Sequence, residues 1–195
     1  MSLRHILGAR EVERLGEDGY FVHDGFLGAE LARRVRDEAR LVPLRRAGVR
    51  REHTLDDTVR NDEIAWLAPE NTSGALREAV ARFTALQDVV NEGAWLGLRR
   101  FDLQLARYGP GGKYVRHLDA FPGQDNRRLT AIVYLNDGWT PAAGGQLQVF
   151  AAVPRIVEPI LDRLVVFRSE LIEHEVLESH AERWALAAWY SAREG

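Results

Sequence analysis

The sequence predicts an α+β fold in which helices come first and short strands follow, a helix-supported antiparallel barrel or sandwich. Three observations point that way. Apolar residues recur at helical spacing in 28–41 and 74–92. After Gly97 the apolar period drops to two. From there to Tyr190, glycine-rich turns separate six to eight short apolar runs.

Taken in order, residues 9–16 predict a short helix, and Gly19-Tyr20-Phe21-Val22 a strand closed by His-Asp-Gly. In 28–41, Leu31, Val35 and Ala39 fall four apart on one face, with arginines elsewhere. Pro43 marks the end of that helix. From Pro43 to Asp62 the chain is polar and irregular, a length that is usually functional or mobile. Its cluster Arg45, Arg46, Arg50 and Arg51 reads either as a solvated loop or as a contact for an acidic partner. Ile64–Leu67 is a short strand. Residues 74–92 give the strongest helix, with Leu76, Val80, Phe83, Leu86 and Val90 on one face. Phe101, Leu103 and Leu105 then alternate with Asp102, Gln104 and Ala106. Tyr108-Gly-Pro-Gly-Gly-Lys is turn chemistry, as is Asn136-Asp137-Gly138. Further strands are expected at 129–135, 146–150, 156–157, 164–167, 175–177 and 184–190. One domain, 1–195, is expected, with helical support over about 1–96 and a β core over about 97–192.

Composition narrows the function classes. Of 195 residues, 46% are hydrophobic and 28% charged, the balance of a globular chain. No apolar run approaches 18 residues, so no membrane span is expected. The first residues lack the apolar stretch of a signal peptide, and the cytoplasm is the expected location. Net charge is −3, which argues against a general nucleic-acid binder. Cysteine is absent, so any metal must be held by His, Asp or Glu.

The chemistry-bearing stretch is Tyr114-Val115-Arg116-His117-Leu118-Asp119. In an extended segment, His117 and Asp119 share a face. A second imidazole would complete a two-histidine, one-carboxylate set that leaves positions open on Fe(II). His174, 57 residues on and just after Leu164–Phe167, is the candidate. His5, His23, His53 and His180 read as surface or turn residues. Arg183 follows His174 by nine residues, and period two places it on one strand face with Ala185, Ala187 and Trp189. An arginine beside two alanines suggests a cavity kept open by small side chains. A buried guanidinium needs an anionic partner, and a carboxylate held bidentately suits it. Tyr134, on the face of Thr130 and Ile132, could reach the same carboxylate.

Four blocks carry a resemblance. They are Val59-Arg60-Asn61-Asp62-Glu63-Ile64-Ala65-Trp66, the run from Tyr108 to Asp119, Val133-Tyr134-Leu135-Asn136 with Trp139 and Gly144-Gly145, and Asp162-Arg163-Leu164 with Phe167, His174, Arg183 and Trp189-Tyr190. Together they resemble the 2-oxoglutarate- and Fe(II)-dependent dioxygenases, specifically the prolyl 4-hydroxylase branch that includes the hypoxia-inducible-factor prolyl hydroxylases. The resemblance covers roughly residues 20–190. It implies a double-stranded β-helix (jelly-roll, cupin-like) core with supporting N-terminal helices. It implies that His117, Asp119 and His174 bind Fe(II), and that Arg183 and Tyr134 hold the distal carboxylate of 2-oxoglutarate with Tyr108 near its 2-oxo acid end. Gln104, Tyr114, Arg116, Trp189, Asp62 and Arg127 would line the pocket or meet substrate. O₂ is the further co-substrate, succinate and CO₂ the co-products, and the scheme leaves room for ascorbate. A carboxylate at 119 argues against a halogenase, in which a small residue frees a site for halide.

The resemblance also implies that the 43–62 loop folds over an extended protein substrate, with a prolyl residue as the leading target. For a bacterial member of this branch, elongation factor Tu is the named expectation. Only five residues follow Tyr190, so no C-terminal helix is expected over the substrate. The rivals are the same chemistry on a free amino acid or small molecule, and a metal β-barrel that only binds a carboxylate. A zinc hydrolase is disfavoured because His-Glu-x-x-His is absent.

Overall fold

Two antiparallel sheets, one of seven strands and one of four, face each other in the computed structural model, which describes residues 7–48, 56, 58–120 and 127–192. The helices are α1 (Ala9–Glu17), α2 (Ala29–Ala39) and α3 (Gly74–Ala94). The strands are β1 (Tyr20–Asp24), β2 (Arg45–Arg46), β3 (Glu63–Leu67), β4 (Arg100–Tyr108), β5 (Tyr114–His117), β6 (Arg127–Tyr134), β7 (Leu147–Phe150), β8 (Arg155–Val157), β9 (Arg163–Arg168), β10 (Glu173–Val176) and β11 (Arg183–Ser191). The large sheet runs β1-β9-β6-β11-β4-β3-β2 and the small one β5-β10-β7-β8. From β4 onward the chain shares eight strands equally between the two sheets. This is the winding of a double-stranded β-helix, as the resemblance implies.

Period-two alternation decides which core each residue joins. Along β4, Leu103 and Leu105 enter the core under the helices, whereas Ala106 and Tyr108 enter the core between the sheets. Along β11, Trp184, Leu186, Ala188 and Tyr190 face the helices. The residues between them, Arg183, Ala185, Ala187 and Trp189, face the interior of the barrel. Both faces of β11 are covered, which is why its sequence reads as an unbroken apolar run. Its ladders to β4 and β6 fix that register over nine and seven residue pairs.

The helices pack on the outer face of the large sheet. Phe83 of α3 meets Phe26 edge-on at 5.5 Å, and Tyr190 donates its hydroxyl to the Phe83 carbonyl at 2.9 Å. The first amides of α3 are unpaired within the helix, as at every helix start. Glu38 of α2 accepts from two of them, Ala75 at 2.7 Å and Leu76 at 3.0 Å. A carboxylate there also suits the helix dipole, so this contact sets how α2 and α3 dock.

The structure departs from the sequence reading in three places. The first 96 residues are not only helical support, since β1, β2 and β3 extend the large sheet on both sides. Arg45 and Arg46, read as loop, pair with Ile64 and Glu63 as an exposed edge strand. His23 lies in β1 rather than in a turn, with Nδ1 3.3 Å from Glu11. His180 is exposed, as expected. His5, His53, Arg50 and Arg51 lie outside the described residues. Among the described residues, no helix is long and apolar enough to cross a membrane.

Candidate metal centre and its cavity

β5 and β10 are neighbours in the small sheet, and their register sets His117 directly opposite His174. A regular strand would put Tyr114 and Arg116 on one face and His117 on the other. Here the register shifts: the three-residue step from Tyr114 to His117 faces a two-residue step on β10. Such a bulge turns the intervening side chains outward. Tyr114 and His117 therefore both look into the barrel, while Val115 and Arg116 are exposed. Asp119 follows in the bend that leaves β5.

His117, Asp119 and His174 bring one donor atom each within 4.8 Å of one another. The His117 Nε2 is 3.6 Å from one Asp119 oxygen, and the His174 Nε2 is 3.8 Å from the other. Each imidazole turns its Nδ1 to the carbonyl two residues earlier, His117 to Val115 at 2.7 Å and His174 to Ile172 at 3.3 Å. A carbonyl only accepts, so Nδ1 carries the proton and Nε2 keeps its lone pair for the shared point. Thr130 donates its hydroxyl to the Asp119 carboxylate at 2.7 Å and sits 2.8 Å from the Ser169 hydroxyl.

Electrostatics keep this set ready for a cation. Burial pushes the Asp119 carboxyl up, but the two imidazoles and Thr130 outweigh it and hold it well below the usual carboxylate range. Burial, helped by the neighbouring His117, pulls His174 down to about 4 against the pull of Asp119. At neutral pH His174 is an uncharged imidazole and Asp119 an anion. Two nitrogens and one oxygen on one side of a point suit a divalent transition metal with positions left open.

The donors open onto a cavity of about 720 Å³ with the open space of its mouth counted in. Arg183 forms its far wall and is 3% exposed. Its Nε donates to the Gly145 carbonyl at 2.7 Å, and its guanidinium lies 4.9 Å from the Tyr108 ring and 5.0 Å from the Tyr134 ring. Among the described residues no carboxylate pairs with it. The Tyr134 hydroxyl, fully buried beside it, also has no hydrogen-bond partner. Burial raises both phenols, Tyr108 and Tyr134, against the pull of Arg183, so both remain donors. Among the described residues, a buried cation with no carboxylate partner and a buried hydroxyl with no acceptor mark a seat for an anion.

Ala185, Ala187, Gln104, Trp189, Tyr114 and Arg127 line this cavity, as the sequence reading expects. Two expected pocket residues do not. Arg116 faces outward, opposite to His117 as alternation dictates, pairs with Glu173 and covers the Phe150 ring at 3.9 Å. Asp62 is buried behind the wall, where Arg60 donates to it twice, at 2.7 and 2.6 Å. The wall itself is Arg60, which the sequence reading placed, along with Trp66, in a resembling block but gave no pocket role. Trp66 is 42% exposed and packs on Trp189 at 5.5 Å. The signal for Trp66 was present: period two from Ile64 sets it beside Gln104 across the β3–β4 ladder.

Comparison with known proteins bears on the same residues. Residues 103–191 match the family model described as the 2OG-Fe(II) oxygenase superfamily. The human prolyl hydroxylase EGLN3 is 38% identical over 157 residues, which cover 74% of this chain. The match spans 62% of that protein, so the chain accounts for under two thirds of the curated relatives' length. A crystal structure of a Pseudomonas putida prolyl-4-hydroxylase superposes with a TM-score of 0.87 at 37% identity, covering 95% of this chain and 99% of that one. A Trichoplax adhaerens prolyl hydroxylase, in complex with a hypoxia-inducible-factor oxygen degradation domain peptide fragment, superposes with a TM-score of 0.81 at 26% identity, covering 94% and 89%. The paired imidazoles, the carboxylate and the anion seat lie within the matched span, and the chain belongs to the 2OG-Fe(II) oxygenase superfamily.

Proposed function

We propose that this protein hydroxylates a prolyl residue of a protein substrate, using Fe(II), 2-oxoglutarate and O₂ and releasing succinate and CO₂. One observation carries the reading. A two-histidine, one-carboxylate donor set and an arginine that has no counter-ion among the described residues share a single cavity. Full-length similarity to a prolyl-4-hydroxylase supports the reaction class.

In this reading His117, Asp119 and His174 hold Fe(II), and Thr130 orients the carboxylate. Arg183 and the Tyr134 hydroxyl hold the distal carboxylate of 2-oxoglutarate, and Tyr108 donates toward its other end. When bound, iron would activate O₂, the oxidant, toward an unactivated C–H bond, with 2-oxoglutarate giving up two electrons as it becomes succinate and CO₂. The protein orients both co-substrates and excludes water. Ala185 and Ala187 leave the room for them, because larger side chains on that strand face would fill the cavity. Trp66 and Trp189, their rings tilted 47° to each other, with Arg127 5.0 Å from the Trp189 ring, offer an aromatic surface for a pyrrolidine ring.

A protein substrate is favoured over a small molecule by the likeness to prolyl hydroxylases, one of them seen with a peptide. Elongation factor Tu is the first protein to test for a bacterial member of this branch. Incubation with Fe(II), 2-oxoglutarate, O₂ and a proline-containing substrate should yield succinate and a product heavier by one oxygen. His117→Ala should abolish both. Turnover at the wild-type rate in that variant would reject the reading.

A further inference from the structure

A hydrogen bond at Nδ1 sets the tautomer of an imidazole but leaves its ring free to tilt about that bond. For His174 the tilt is fixed by burial and by Phe167, whose ring lies 4.5 Å away. His117 has less support, because β5 is the edge strand of the small sheet. Its ring is instead held face to face with Tyr114, at 3.7 Å and 17°. The bulge makes this contact by putting residues three apart on one face. On Tyr114 lies the Arg60 guanidinium, 4.4 Å from the ring centroid. The guanidinium is locked in turn by two hydrogen bonds to Asp62, which is 1% exposed.

The segment that carries Arg60 is pinned to β5 and the turn before it. Val115 donates to the Val59 carbonyl at 2.9 Å, Lys113 to the Asn61 side chain at 2.7 Å, and Asn61 to the Gly111 carbonyl at 3.0 Å. Guanidinium and imidazole therefore form the two ends of one stack with a phenol ring between them. Stacked planes resist tilting, and an arginine keeps the ring below it in register only while its own plane is fixed.

We infer that Arg60 and Tyr114 are positioning residues that hold the His117 ring plane for metal binding, with Asp62 as their anchor. The inference rests on His117 being a ligand, as proposed above. It implies that the segment 60–62 reaches the metal through side chains that never touch it.

The test is Co(II) titration of the full chain, read by visible absorption and by the dissociation constant. Wild type should bind and His117→Ala should bind far more weakly. Equal binding by these two would remove His117 as a ligand, and the inference with it. Tyr114→Phe keeps the ring and should bind like wild type. Tyr114→Leu removes the plane and should weaken Co(II) binding by about 10- to 100-fold with a changed spectrum, the usual range for lost outer support of a ligand. Arg60→Lys still neutralises Asp62 but has no plane to lay on the ring, so it should fall between the two. Wild-type affinity and spectrum in folded Tyr114→Leu would overturn the inference. Should that variant fail to fold, wild-type behaviour in Arg60→Lys would overturn the role of the arginine on its own.

Discussion

Replacing Arg183 with methionine removes the charge while keeping most of the length. In the free protein this cation is 3% exposed and, among the described residues, has one carbonyl and two rings for company. Its removal should therefore leave the thermal midpoint of the protein without co-substrate unchanged or slightly raised. With co-substrate the outcome reverses. A desolvated carboxylate that loses its charged partner is weakened by about 2–5 kcal/mol, and about 3 kcal/mol corresponds to roughly 150-fold in affinity. At a 2-oxoglutarate concentration 100 times the wild-type Kd, binding stabilises wild type by about 2.7 kcal/mol. For a chain of this size that is roughly 5–10 °C. The variant at the same concentration would gain about 0.3 kcal/mol, a shift of roughly 1 °C. The assay is thermal unfolding under nitrogen with Mn(II) in place of iron, with and without 2-oxoglutarate. An equal shift in Arg183→Met and wild type would refute the assignment of the anion seat.

Two further outcomes follow from the same geometry. The His174 imidazole is held down to about 4, below the 6.5 of a free one. The unfolded chain thus takes up a proton as pH falls through 6.5 and the folded chain does not, so the metal-free protein should lose about 3 kcal/mol of stability between pH 6.5 and 4. Urea unfolding of His174→Gln should show a flatter slope over that window, and an unchanged slope would count against a buried neutral His174. Gly145 has φ of 71°, and a Cβ there would lie 2.3 Å from the Ser179 hydroxyl and 2.8 Å from Cδ of Arg183. Gly145→Ala should cost about 1–3 kcal/mol of stability and weaken 2-oxoglutarate binding, measured by the same thermal shift; unchanged binding would argue that Arg183 is not held in place from this side.

The parts of the site that obey a period were legible in the sequence. Alternation along β11 puts Arg183, Ala185, Ala187 and Trp189 in the cavity, and along β4 it does the same for Gln104 and Tyr108. The parts that break a period were not. The bulge in β5 brings Tyr114 to the side of His117, and nothing in Tyr-Val-Arg-His announces it. Arg60 escaped because its place depends on an irregular segment pinned, by a bridge to Tyr114 and a few hydrogen bonds, to a strand more than fifty residues away. Asp62 was singled out as a pocket residue, but it holds Arg60 from behind the wall rather than facing the cavity. For the fold, the helical stripes and the order of strands were readable, while the joining of β1 to β9 and β3 to β4 was not. Those pairings depend on contacts far apart in sequence.

β2 consists of two residues, both arginine and both exposed, at one margin of the seven-stranded sheet. A sheet margin presents open backbone donors and acceptors to any passing chain. A short, doubly positive strand is a poor template for such pairing, since a second copy would set like charge against like. The pair therefore guards the protein against self-association, a task that requires no substrate and no acidic partner. Loss of both charges would make solubility at high concentration, rather than catalysis, the first property to suffer.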